Sequence, residues 1–163
     1  MADPQWRDET SEHLQEVGLV CTQWAYLEWM LEISIWWFLG FLDSGDPTDG
    51  LTLTGTLNCE PLARKASQLS HRKLAEAGER DLLVRVLSRV SKIVEERNLV
   101  VHGRRSVSPD EIVTATVSRG PAKNQTRPMP LTRIRSLNLE IGLIINELEP
   151  LLAKHGVVKT SAA

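Results

Sequence analysis

An arginine, an amide and an imidazole fall within six residues near the middle of the chain: Arg97, Asn98 and His102. A guanidinium stays charged and offers a planar fork of donors that matches a phosphate or a carboxylate. An imidazole takes or gives a proton near neutral pH. Asn98 and His102 are four residues apart and so are neighbours on a helix, where the amide can hold one ring nitrogen and set the tautomer. On an ideal helix at ~100° per residue, Arg97 points where Leu83, Val86 and Val90 point, into the expected packed face. A guanidinium buried alone costs several kcal/mol unless something anionic meets it. That partner is a carboxylate if Arg97 is structural and a phosphate if it is functional. Arg97 and His102 are five apart and turned ~140° from each other, so on a straight helix they do not grip one small atom side by side. Arginine's length, loosening at Gly103, or a two-fold partner would bring them together.

The element that carries these residues is the strongest amphipathic segment of the chain. Leu83, Val86, Leu87, Val90, Ile93 and Val94 repeat at helical spacing over residues 79–102, with Gly78 before and Gly103 as a stop. Ahead of it, a first helix is expected from residue 8 or 11 to 42, with Trp24, Leu27, Leu31, Ile35 and Leu39 on one face. Trp29, Trp36 and Trp37 lie elsewhere around that cylinder, so it needs cover on several sides, from its own chain or from a second subunit. Gly45, Pro47 and Gly50 mark a loop. A second helix follows, with Pro61 in its first turn and Leu62, Ala66, Leu69 and Ala77 as its stripe. Residues 112–117 alternate and read as a strand; residues 125–131 can return beside it, only as an edge because of Pro128 and Pro130. Thr132 can cap a last helix with Ile134, Leu137, Ile141, Ile144, Leu148 and Leu151 inward, its end disturbed at Pro150. The fold class expected is all-α: an antiparallel four-helix bundle with a short β-hairpin or loop insertion between the third and fourth helices. One domain spans residues 8–155 and a loose tail residues 156–163.

Composition narrows the function. With 163 residues, 42% of them hydrophobic and 25% charged, the chain suits one globular domain. A net charge of −2 gives no global attraction for nucleic acid, so a polyanion site must be a local patch. Cys21 and Cys59 stand alone, with no CxxC and no Cys/His cluster, which fits a reducing cytoplasm and neither a disulfide framework nor structural zinc. Glu28 and Glu32 interrupt the apolar run of residues 19–42, leaving too short a stretch to span a membrane. No carboxylate cluster stands ready for a metal, so neither metal nor cofactor is expected.

Arg97-Asn98-x3-His102 at the end of the third helix of such a bundle resembles the signature of the HEPN superfamily: Arg, four to six residues, then His, with a polar residue after the Arg. The likeness covers the bundle, about residues 12–154, and rests on Arg97, Asn98 and His102 with Gly103 after. Arg64 and His71 meet the loose spacing too, but lie mid-helix without the amide and are read as chance. The resemblance implies a metal-independent endoribonuclease that dimerises to build a composite cleft, a toxin or defence effector with an antitoxin or other neutralising protein as partner. It implies that His102 moves the proton of the 2′-hydroxyl or of the leaving 5′-oxygen, Arg97 clamps the scissile phosphate, and Asn98 orients His102 or donates to phosphate. Arg104 and Arg105 would track flanking phosphates, or sit solvated at a helix end where cations are favoured. Arg119, Lys123 and Arg127 read as a solvated loop, and His13, His71 and His155 as surface histidines.

Two other readings stay open. One is a non-catalytic HEPN-like module that binds RNA, a nucleotide or a protein. The other is a plain helical interaction domain in which Arg97 pairs with Glu28 or Glu32.

Overall fold

The computed structural model describes residues 4–44, 48–102, 104–108, 111–116 and 125–159, with side chains for residues 11–43, 48–102 and 129–159. Helices make up most of the described residues. Their contacts divide the chain into two compact units, residues 24–94 with 141–163 and residues 1–23 with 95–140. Three long helices, α1 (Pro4–Leu39), α5 (Ala77–His102) and α6 (Leu131–Lys154), contribute to both.

The first of these units, the apolar unit, begins within α1. Trp24, Leu27, Met30, Leu31, Ile33, Ile35 and Phe38 are buried, so this stretch is covered on more than one side. Helix α1 does not run on to residue 42. Gly40 takes a φ of 82°, its N–H bonds to the Trp37 carbonyl at 3.0 Å, and a separate turn of helix, α2 (Phe41–Ser44), follows. Only glycine enters that left-handed conformation without strain, and it ends the helix there. The chain then returns through α3 (Thr48–Thr54), a helix the sequence pattern did not separate from the loop. Gly50 lies against the Trp36 ring, where a Cβ would come within 2.7 Å, and Trp36 Nε1 donates to Thr54 Oγ1 at 2.9 Å.

Helix α4 (Cys59–Leu69) starts without a local cap, since Asn58 makes no side-chain cap bond. Its start is held from α1 instead. Glu28 Oε1 accepts the Cys59 N–H at 3.1 Å and Trp24 Nε1 at 3.0 Å, a carboxylate at the positive end of a helix. The expected second helix therefore ends earlier, followed by a 3-10 turn at Ser70–Arg72; Ala77 opens α5, with Gly78 inside its first turn. Glu28 meets Cys59 and Asp43 meets Lys73, so α4 runs with α1. Glu79 meets Lys154 and His155, and Arg89 meets Glu147, so α5 and α6 are antiparallel. Tyr26 lies near Glu149 and the Trp37 ring packs tilted against His155, so α1 and α6 run parallel. The return through α3 supplies the extra reversal. From α5 and α6, Leu83, Val86, Leu87, Val90, Ile141, Ile144, Leu148 and Leu152 complete the core. Gly156 (φ 71°) closes α6: its N–H bonds Ala153 and the Val157 N–H bonds Leu152. Pro150 is exposed and leaves the helix intact to Lys154, and Val158 is buried.

The second, the site unit, joins the start of α1, the end of α5 and the start of α6 to three antiparallel strands in the order β1-β2-β3. These are β1 (Arg104–Ser108), β2 (Glu111–Thr116) and β3 (Gln125–Pro128). The sequence pattern did not mark β1, which starts two residues after α5 ends. β3 is an edge strand and Pro128 closes it, as a residue lacking an N–H must. Thr132 is not a cap: α6 starts at Leu131, and the Pro130 carbonyl takes the Arg133 N–H at 2.9 Å. Val20, Leu99, Val100, Met129, Ile134 and Leu137 are buried here, together with Asn138.

Candidate active site

Arg97 is not in the packed face of α5. Leu83, Val86, Leu87 and Val90 are buried as expected, but beyond residue 94 burial passes to Leu99 and Val100, which point ~180° and ~80° away from Val90. Neighbours decide which side of a helix is inside, and at Glu95 the helix leaves one unit for the other. Arg97 is left half-buried on a flank, with Asn98 and His102 exposed.

From that flank its length closes the gap to His102. Arg97 Nη1 lies 3.1 Å from Asn98 Oδ1 and 3.1 Å from His102 Nε2. The guanidinium has only donors, so Nε2 accepts and the proton of a neutral ring rests on Nδ1. The amide was expected to hold the imidazole. Instead its oxygen takes the guanidinium, and the guanidinium holds the imidazole. One protomer thus brings all three residues together.

Other side chains of the same unit form an ordered polar layer. Arg133 Nε donates to Glu96 Oε1, beside Arg97 in the chain. Arg135 donates from Nε to Glu16 Oε1 at 3.0 Å and from Nη2 to Glu12 Oε2 at 3.1 Å. The bond from Glu16 leads the interactions that hold this guanidinium more firmly protonated than usual, with Glu12 adding to it. The buried Asn138 amide donates to Glu16 Oε2 at 2.7 Å and to the Glu16 carbonyl at 3.0 Å. Glu96 and Arg133 were missed in the sequence. The available signal was a cation in the first turn of α6, where the helix dipole disfavours it.

Arg104 and Arg105 stand on β1 opposite Ala115 and Thr114, and Arg127 on β3 opposite Thr114; their side chains lie outside the described residues, as do Gly103, Arg119 and Lys123. Glu28 is engaged by Trp24 and Cys59, and Glu32 is half-buried; both lie within the apolar unit. Of the three expected surface histidines, His71 is exposed, while His13 and His155 are partly exposed; the His155 ring packs tilted against Trp37, with Nε2 3.1 Å from Glu79 Oε2. Arg64 lines an open groove of about 300 Å³ with Glu60, Ala63, Ser67, Val84 and Ser88, apart from the candidate site unit. Among the described residues, no three His, Cys, Asp or Glu side chains form a metal site, and no helix is long and apolar enough to cross a membrane. Comparison of the chain with family models, curated proteins and solved structures found no match.

Proposed function

We propose that this chain is a metal-independent endoribonuclease of the HEPN type. One observation carries the reading: a single guanidinium nitrogen of Arg97 bridges Asn98 and His102 at an exposed helix end. In that state His102 Nε2 accepts from the cation, so its lone pair is held by Arg97. A phosphate competes for the Arg97 fork. When it wins, Nε2 is released beside the bound phosphate and takes the proton of the 2′-hydroxyl. The 2′-oxygen attacks phosphorus, the bond to the 5′-oxygen breaks, that oxygen takes a proton from solvent water to leave as the hydroxyl, and His102 returns to solvent the proton it accepted. The products are a 2′,3′-cyclic phosphate and a 5′-hydroxyl. Arg97 stabilises the charge that builds on the equatorial oxygens, and Asn98 positions Arg97.

In this reading α1, α4, α5 and α6 are the four helices of a HEPN-type bundle, and the strands are an insertion between the third and fourth. Two copies form a composite cleft, a neutralising protein restrains the enzyme, and it works in the cytoplasm as a toxin or defence effector. The test is cleavage of single-stranded RNA in EDTA. Wild type is expected to cut and leave a cyclic phosphate, while His102→Ala and Arg97→Ala do not. A 2′-deoxy residue at the cut position blocks the reaction. Cleavage of all-DNA substrate would sink the mechanism. RNA binding without turnover would assign the non-catalytic HEPN-like module instead.

A further inference from the structure

We infer that Arg133 is a second phosphate-binding residue of this site, holding the phosphate next to the one at Arg97. The inference rests on the ribonuclease reading and extends it to substrate length.

Three arginine side chains are described in the site unit, and they are used differently. Arg135 is taken by two carboxylates, through Nε and through Nη2. The described partners of Arg97 include the Asn98 amide and the His102 ring nitrogen. Arg133 meets one carboxylate, Glu96, through Nε alone, and its side chain is 41% exposed. Among the described residues, no bond is made by its Nη edge, the face that matches two oxygens of a phosphate. Glu96 fixes the plane of the guanidinium without covering that edge.

The position is also costly by local rules. Arg133 is the third residue of a 24-residue helix, where a cation opposes the dipole. A partly exposed ion pair returns little stability. An arginine placed there and oriented there is explained by an anion arriving from solvent. Glu96 and Arg97 are consecutive residues of α5, so the Arg133–Glu96 pair ties the first turn of α6 to the stretch of α5 that carries Arg97. A strand with one phosphate at Arg97 can set the next at Arg133 with the Glu96 pair intact.

The experiment measures binding of a single-stranded 2′-O-methyl octanucleotide, which cannot be cut, by fluorescence anisotropy across a salt series. Each phosphate neutralised on a single strand contributes about −0.7 to the slope of log K against log salt. Arg133→Gln is expected to make the slope shallower by about 0.7 and to weaken binding about tenfold at low salt. Arg133→Lys keeps the charge and restores the slope, which separates a phosphate contact from lost folding. In cleavage, the penalty of Arg133→Gln is larger on a tetranucleotide than on a dinucleotide, which has only the scissile phosphate. A wild-type slope and an equal penalty at both lengths overturn the inference while leaving the ribonuclease reading in place. If the wild-type chain neither binds nor cuts RNA, that reading fails and Arg133 with it.

Discussion

The two units share three long helices and differ in their described interiors. In the apolar unit the interior is Leu, Ile, Val, Trp and Phe, and its buried hydroxyls bond back into their own helices: Ser34 to Met30, Thr54 to Gly50, Ser70 to Ser67. In the site unit the described interior is a handful of aliphatic residues and Met129, bordered by Glu12, Glu16, Glu96, Arg133, Arg135 and Asn138. Dry packing is indifferent to charge arriving from solvent, whereas an ordered polar layer can present charge to a ligand. The difference teaches where to separate stability from chemistry: one unit should set the melting temperature and the other the reaction.

The sharpest test of that division is His102→Ala. An exposed residue held by one hydrogen bond contributes little to folding, but loss of an acid–base group costs about 10²- to 10⁴-fold in rate. Cleavage should vanish while the melting temperature stays within a degree or two of wild type, on the order of the shift from a surface change. A melting temperature that drops with activity would erase the contrast. Next comes Leu31→Ala in the apolar unit. Leu31 is fully buried, so the cavity should cost about 2–5 kcal/mol in urea unfolding, with residual activity tracking the folded fraction. Asn138→Ala probes the polar layer. It removes one donor from the Glu16 carboxylate, which keeps Arg135, and one from the Glu16 carbonyl, and should cost about 1–3 kcal/mol, less than the cavity.

The smallest effect is a pH dependence confined to the apolar unit. Burial, with Glu28 nearby, raises the Glu32 carboxyl above its ordinary value, against a lowering bond from Thr54. A carboxyl raised by folding ionises more readily in the unfolded chain. Below the ordinary carboxylate range it adds no penalty. As pH climbs through that range stability falls, and the loss is complete once the folded-state value is passed. Glu32→Gln should flatten that part of the stability–pH profile and raise stability at neutral pH. An unchanged profile would mean that burial does not bear on this carboxylate.

Much of the helical plan was legible. The stripes of α5 and α6 could be read because a 3.6-residue period survives whatever surrounds it. The candidate triad could be read because an arginine, an amide and a histidine stand out against apolar neighbours. Other features have no local signature. The break at Gly40 depends on a backbone angle that Gly156 shares but Gly18, Gly50, Gly55 and Gly78 do not adopt, and nothing in the local sequence separates the two groups. The use of Glu28 as a cap for α4 joins residues 31 apart, so two apparently misplaced acids in α1 looked like interruptions. The half-burial of His13 and the Trp37 contact of His155 come from packing neighbours, not from the residues themselves.

Periodicity and residue type alone determined that this chain is mainly helical and which three side chains could handle a phosphate and a proton. Which face of α5 is inside at residue 97, which partner the Asn98 amide takes, and that Arg97 spans to His102 were decided by tertiary structure. Direction around a helix follows from sequence spacing, but burial follows from what lies opposite, and for residues 95–102 the neighbours come from segments far away in the chain.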